Sequence, residues 1–393
     1  MNHIYFDNAS TTKVDPRVVE KMMPFLTDLF GNPSGLHIHS RIAAEELDKA
    51  RLKVAEVLNC DANEVVFTGS GTESDNLAIF GYVYQNLAKN SYLITSKVEH
   101  HAVLYPFERL AEEGYGVDFV TPNLEGEILP EMLNFKENTG FASIIYANNE
   151  IGTINNIPRI AQKCREKDVI FHTDACQAAG VVDLDVEKMG VDMMTLNGSK
   201  IKAPKGVGML YKRKGIKIKP QILGGSQEFG LRAGTENMAG IVGFAEALYL
   251  AQKERLANNE RLVKMRDRIT DYIIKNVDLV RLNGHINNRL PNNCNFSFLN
   301  AEGESITLFL DNEGFSVNTG SACTTESLEP SHVLLGIGLP HEVAHGSLRV
   351  SIGTEASDAD IDHFLEVLPK IIEKIRKMNP IHLKKEDFEG FFD

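Results

Sequence analysis

The chain reads as an α/β protein: a large domain on a mostly parallel, seven-stranded sheet held between helices, plus a smaller α+β domain. Short apolar, β-branched runs alternate with amphipathic helical stretches through the first two-thirds. A charge-laced helical pattern then runs from Gly240 to about Lys275 and leads out of the first body, after which strands and helices mix. Alternation of this kind implies a parallel sheet covered by helices on both faces. With 393 residues, 43% of them hydrophobic and 24% charged, the chain is long enough for two domains and a sizeable core.

The predicted strands are Val65–Thr68, Tyr92–Thr95, Val117–Thr121, Ser143–Ala147, Val169–Asp174, Met193–Leu196 and Val207–Lys212. Ser40–Leu58 is predicted helical because Ile42, Leu47, Ala50, Val54 and Leu58 recur on one face. Pro158–Lys167 opens on a proline, which suits the first position of a helix. In the last third the expected strands are Cys294–Phe298 and Leu348–Ile352, and the expected helices Ser305–Asn312 and Asp358–Arg376. The expected division is residues 1–15 as an N-terminal segment associated with the small domain, 16–250 as the large domain and 251–393 as the small one. The tail HLKKEDFEGFFD has no clear partner in the sequence and is expected to fray, with a docking segment as the alternative.

A formal charge of -13 argues against nucleic acid, whose binding needs Lys and Arg to neutralise phosphates. The five cysteines, Cys60, Cys164, Cys176, Cys294 and Cys323, contain no C-x-x-C pair, so neither a disulfide framework nor a zinc site is expected. No metal is expected. The opening MNHIYFDNAS lacks a secretory pattern, and no run approaches the roughly twenty apolar residues of a membrane span. A cytoplasmic location is the expectation.

Three positions point to chemistry. Asp174 closes the apolar run VIFHTD, and a carboxylate at a strand's carboxyl end faces the crevice where α/β sheets bind ligands. An ionised Asp there can hold a pyridine nitrogen protonated. Gln177, one turn on, reaches the same ligand. Lys200 lies in NGSKIKAPKGVG, where desolvation can lower an amine's pKa for Schiff-base formation; the residues alone do not choose among Lys200, Lys202 and Lys205. Cys323 sits in NTGSACTTESLEP, small and hydroxylated on both sides, which predicts a water-accessible loop thiol rather than a core residue. The turn Gly69–Ser74 adds a glycine-rich helix start that offers N–H groups to an anion.

Taken together the motifs resemble the aminotransferase class V family of fold-type I pyridoxal-phosphate enzymes, and within it the cysteine desulfurases of the NifS/IscS type. The likeness runs through YFDNASTT, GNPSGLH, GSGTESDNLAI, VEHHAV, NNEIG, DACQ, SKIKAPKG, GGSQEFGLRAGTEN, GSACTTESLEPSH and LRVSIG. It implies that Lys200 carries pyridoxal 5'-phosphate and acts as the base, that Asp174 pairs with the ring nitrogen, and that His100 stacks on the ring. Asn149 and Gln177 would hold the ring-oxygen side. Gly71, Thr72 and Ser199 would contact the phosphate, joined by Thr235 from the other subunit of a homodimer. Arg349 would clamp the carboxylate of L-cysteine, with Asn149 beside it, as a planar fork suits. Cys323 would take the sulfur as a persulfide, releasing alanine, and pass it to an acceptor such as an iron–sulfur scaffold or a tRNA-thiolation protein. A free thiol with a pKa of about 8.5 is only a few per cent thiolate at neutral pH, so Cys323 needs local activation. Lys200 and Asp174 also suit selenocysteine lyases, kynureninase-like hydrolases and aminotransferases; the S-A-C-T loop distinguishes the desulfurase.

The chain departs from that pattern at four positions. Asn197 and Ser199 stand where Ser/Thr and His usually precede the lysine, Phe229 replaces an arginine in Q-E-R-G, and Thr354 replaces an arginine after Ser351-Ile352-Gly353.

Overall fold

The computed structural model describes residues 3–320, 330–380, 383–388 and 390–392; Cys323 lies outside them. The chain opens with a two-residue strand β1 (Ile4–Tyr5). Seven strands then build the main sheet: β2 (Val65–Thr68), β3 (Tyr92–Ser96), β4 (Gly116–Val120), β5 (Thr139–Ser143), β6 (Ile170–Asp174), β7 (Met193–Asn197) and β8 (Gly208–Lys212). Their order is β2-β8-β7-β6-β5-β3-β4. Only β8 runs against its neighbours, so the expected mostly parallel, seven-stranded α/β sheet is present.

One predicted strand is displaced. The run expected at Ser143–Ala147 has its regular ladder earlier, at Thr139–Ser143. The apolar residues after it still follow β6, because the N–H groups of Ile144 and Tyr146 donate to the carbonyls of His172 and Asp174. They are buried where the chain turns toward the site, so apolar character alone did not mark where the ladder stops.

In the last third, β9 (Val280–Leu282), β10 (Asn293–Phe298) and β12 (Ser347–Ser351) form a three-stranded sheet, while β11 (Phe315–Ser316) pairs with β1. The helix Met238–Asn276 joins two cores. Its first half packs Ile241, Phe244 and Leu248 with Val54, Phe171 and Leu196 of the main-sheet core. Its second half packs Met265, Ile269 and Ile273 with Phe6, Phe296, Phe364 and Leu368. Phe6 thus carries the first residues into the second core.

The tail differs from expectation. Leu383, Phe388, Phe391 and Phe392 pack against Val98, Ile151, Leu299, Val333 and their neighbours. Asn300 holds Leu383 through both its backbone groups, at 2.9 and 2.8 Å. The partner that the sequence did not reveal is this apolar surface, which the aromatic residues of the segment cover. Among the described residues no helix is long and apolar enough to cross a membrane.

Candidate active site

The carboxyl ends of the parallel strands open into a cavity of about 620 Å³. Each strand delivers a wall residue. Asp174 is the last residue of β6 and is 5% exposed. Lys200 sits in the single 3₁₀ turn Gly198–Lys200 that follows β7. His100 caps the helix His101–Glu112 after β3, and Gly71 begins the helix Gly71–Asn86 after β2. Ile145, Ala147 and Asn149 follow β5, and Arg349 comes across from β12. Parallel strands place all these loops at one edge.

Lys200 Nζ donates to the carbonyls of Ala9 and Ser10, at 2.9 and 2.6 Å. Gln177 Nε2 donates to the same Ala9 carbonyl at 2.9 Å. The N-terminal segment therefore forms one wall. Asp174 Oδ1 accepts the Cys176 N–H at 2.9 Å. His100 Nδ1 accepts the Ala102 N–H at 3.1 Å as the helix cap, which leaves Nε2 as the protonated nitrogen of the neutral ring. Burial pushes the His100 pKa below the ordinary imidazole value.

Arg349 is nearly fully buried. Its Nη2 donates to Asp7 Oδ1 at 2.9 Å and Ser10 Oγ at 2.7 Å, its Nη1 to the Asn149 carbonyl at 3.1 Å, while Nε is buried without a partner.

The cavity collects Gly71, Thr72, His100, Asn149, Asp174, Gln177, Lys200 and Arg349 of the sequence-derived site. Ser199 and Thr235 are not among its lining residues. The Ser199 carbonyl is occupied by Thr12, and Thr235 is exposed away from the cavity. Asn197, one of the departures, does line the wall.

The other two departures lie outside it. The Phe229 and Phe67 rings each lie 4.9 Å from the Arg51 guanidinium, and Glu228 pairs with Arg51 at 2.6 Å. Thr354 accepts from Lys202 Nζ, and its carbonyl accepts from Arg261.

Among the wall residues that sequence reasoning missed are four with titratable side chains, Asp7, Asp75, Glu150 and His332. All four sit inside motifs that carry the resemblance, but single-residue chemistry gave no reason to select them. His332 donates from Nε2 to the Glu99 carbonyl at 2.9 Å and lies 4.5 Å, ring to ring, from His101. The His101 ring in turn stacks on Tyr105 at 4.7 Å. Burial, aided by His332 and His100, holds the His101 pKa down to about 4.

The family model for aminotransferase class-V matches residues 4–364. A cysteine desulfurase IscS from Clostridium botulinum is 47% identical over 382 residues, covering 96% of both chains. One from Methanosarcina thermophila is 44% identical and covers 97% of this chain and 95% of its own. Among solved structures, a NifS-like protein superposes with a TM-score of 0.88 at 33% identity, covering 95% of this chain and 99% of its own. SspA in complex with cysteine gives 0.78 at 34% identity, covering 89% and 98%. Fold, wall residues and these likenesses agree: the chain belongs to the aminotransferase class-V family and, within it, to the cysteine desulfurases of the IscS/NifS type.

Proposed function

We propose that this protein removes sulfur from L-cysteine with pyridoxal 5'-phosphate as cofactor, giving L-alanine and a persulfide on Cys323. The observation that carries the reading is the convergence of Asp174, Lys200, His100 and Arg349 on one cavity from four separate stretches of chain.

The walls fit the cofactor. A buried carboxylate meets a ring nitrogen, and an amine suits its aldehyde. At Gly71 any Cβ would fall 2.8 Å from Cys176 Sγ and 3.1 Å from Asn197 Cβ, so bare backbone and helix N–H groups face a phosphate. Thr72 joins them; Asn197 stands where relatives commonly offer a hydroxyl. When bound, the cofactor supplies an electron sink for the substrate's α-carbon.

The protein's own groups do the rest. Arg349, held by Asp7 and the Asn149 carbonyl, fixes the substrate carboxylate. Lys200 Nζ, fixed by two carbonyls, accepts the α-proton. His100 would stack on the ring and keep water from one face, and Asn149 and Gln177 would hold the ring-oxygen side. The sum balances without an external oxidant: cysteine plus a thiol gives alanine plus a persulfide.

The division near residue 250 is carried by the helix Met238–Asn276, which packs into one core before that point and another after it. The protein acts as a cytoplasmic homodimer whose Thr235 completes the partner's phosphate site; exposure of Thr235 on its own subunit supports that reading. The sulfur then passes to an acceptor for iron–sulfur clusters or thiolated tRNA.

The test is alanine release from L-cysteine by protein supplied with cofactor, beside its Cys323→Ala variant. Wild type should form alanine and the variant none. Cofactor binding without alanine from the wild type overturns the reading.

A further inference from the structure

Asp75 lies one helical turn beyond Gly71, lines the cavity and is 1% exposed. Its Oδ1 has no hydrogen-bond partner. Asp174, Glu99 and His172 all face it, from β6 and from the turn after β3. His172 brings no charge to offset it. Both ring nitrogens meet hydroxyls, Ser143 at 2.8 Å and Thr195 at 3.0 Å, and Nε2 stands 3.7 Å from Asp75 Oδ1. Burial holds the His172 pKa down to about 4, so the ring is neutral.

Two buried carboxyl groups that repel one another do not both ionise at neutral pH. Of the two, Asp75 is the better placed to hold a proton: Asp174 Oδ1 already accepts the Cys176 N–H and shares the cavity with Lys200 and His100, whereas Asp75 Oδ1 has no donor. We infer that Asp75 is a positioning residue: an un-ionised carboxylic acid beside Asp174 that confines the pair to one negative charge. Desolvation, then Asp174, pushes the Asp75 pKa well above the carboxylate range, against the pull of the Thr195 hydroxyl.

This inference rests on the proposed function for one point, that a pyridine nitrogen meets Asp174. One charge then matches one protonated nitrogen. A second charge beside it would draw protons onto Lys200 and His100 and leave less neutral amine to act as base. The alkaline ionisation of Asp75 therefore sets an upper pH limit on the working state of the site.

The experiment is isotope-edited infrared spectroscopy of the pyridoxal-phosphate-loaded enzyme carrying ¹³C-labelled aspartate, beside Asp75→Asn and Glu99→Gln. Wild type at neutral pH should give the C=O band of an un-ionised aspartic acid. Asp75→Asn should remove it, and Glu99→Gln should not. On raising the pH, the band should fade together with a change in the cofactor's visible absorbance, a change absent from Asp75→Asn. The pyridoxal-phosphate Kd of Asp75→Asn at neutral pH should stay within about threefold of wild type, because the amide mimics the neutral acid; a loss of tenfold or more overturns the inference.

No aspartic-acid band in the wild type, or a band that survives in Asp75→Asn, also overturns it. If that variant does not fold, the wild-type band decides, and its loss without any change in cofactor absorbance is a negative result. Alanine release separates the two readings. Alanine without the band sinks the carboxylic-acid assignment alone, and the band without alanine sinks the desulfurase reading alone.

Discussion

Asp7 and Arg349, 342 positions apart in sequence, form an ion pair inside the cavity at 2.9 Å, with side chains 13% and 2% exposed. The pair ties the N-terminal segment to β12 and sets the plane of the guanidinium. Breaking a buried pair leaves one charge uncompensated, at a cost of about 3–5 kcal/mol. Asp7→Asn keeps the hydrogen-bonding shape but not the charge. It should raise KM for L-cysteine roughly tenfold with a smaller change in kcat, about 1.4 kcal/mol of lost carboxylate binding. Steady-state alanine release measures both constants; an unchanged KM contradicts the role given to Arg349.

His100 has two separable duties, a helix cap through Nδ1 and a ring over the cofactor. Asparagine is a strong cap residue but has no ring. His100→Asn should unfold in urea within about 0.5 kcal/mol of wild type, whereas His100→Ala should lose about 1 kcal/mol. Both should lose roughly a hundredfold in kcat.

Glu99 is fully buried, accepting from the Ser96 hydroxyl and the Ile145 N–H through Oε1, with Oε2 unpartnered. Burial raises its pKa from 4.5 to about 8. A raised folded-state pKa gives stability that is complete below the unfolded value and lost as pH climbs through the folded one. Wild-type stability should therefore fall between pH 4.5 and about 8. Glu99→Gln should flatten that slope by up to one proton, about 1.4 kcal/mol per pH unit. Urea midpoints across this range test it, and an unchanged slope refutes it.

Ser331 serves two partners at once. Its hydroxyl donates to buried Glu150 and accepts from the N–H groups of Val333 and Leu334, at 3.1 and 3.3 Å. Ser331→Ala removes a cap and strips a buried carboxyl of its donor. The expected loss is about 1–3 kcal/mol in chemical denaturation.

Removing residues 383–393 should destabilise the protein by roughly 2–4 kcal/mol, from re-exposure of the apolar surface that Phe388, Phe391 and Phe392 cover. A frayed tail would leave the unfolding midpoint where it was.

The alternation of β-branched runs with helical patterns was enough for the α/β class and seven main-sheet strands, because that signal repeats every two to four residues. Motif order was enough for the family and for placing Asp174, Lys200, His100 and Arg349 in one site. Short-range pattern did not locate the end of β5, whose apolar run continues past the ladder, nor the docking of a tail rich in charge. It was also silent on the wall residues Asp7, Asp75, Glu150 and His332. What distinguishes Asp75 from any other helical aspartate is burial beside Asp174 and an unpartnered oxygen. Both are set by neighbours about a hundred residues away or by the closing of the sheet over the helix. Charge state and hydrogen bonding depend on through-space surroundings, and only the tertiary structure decides those.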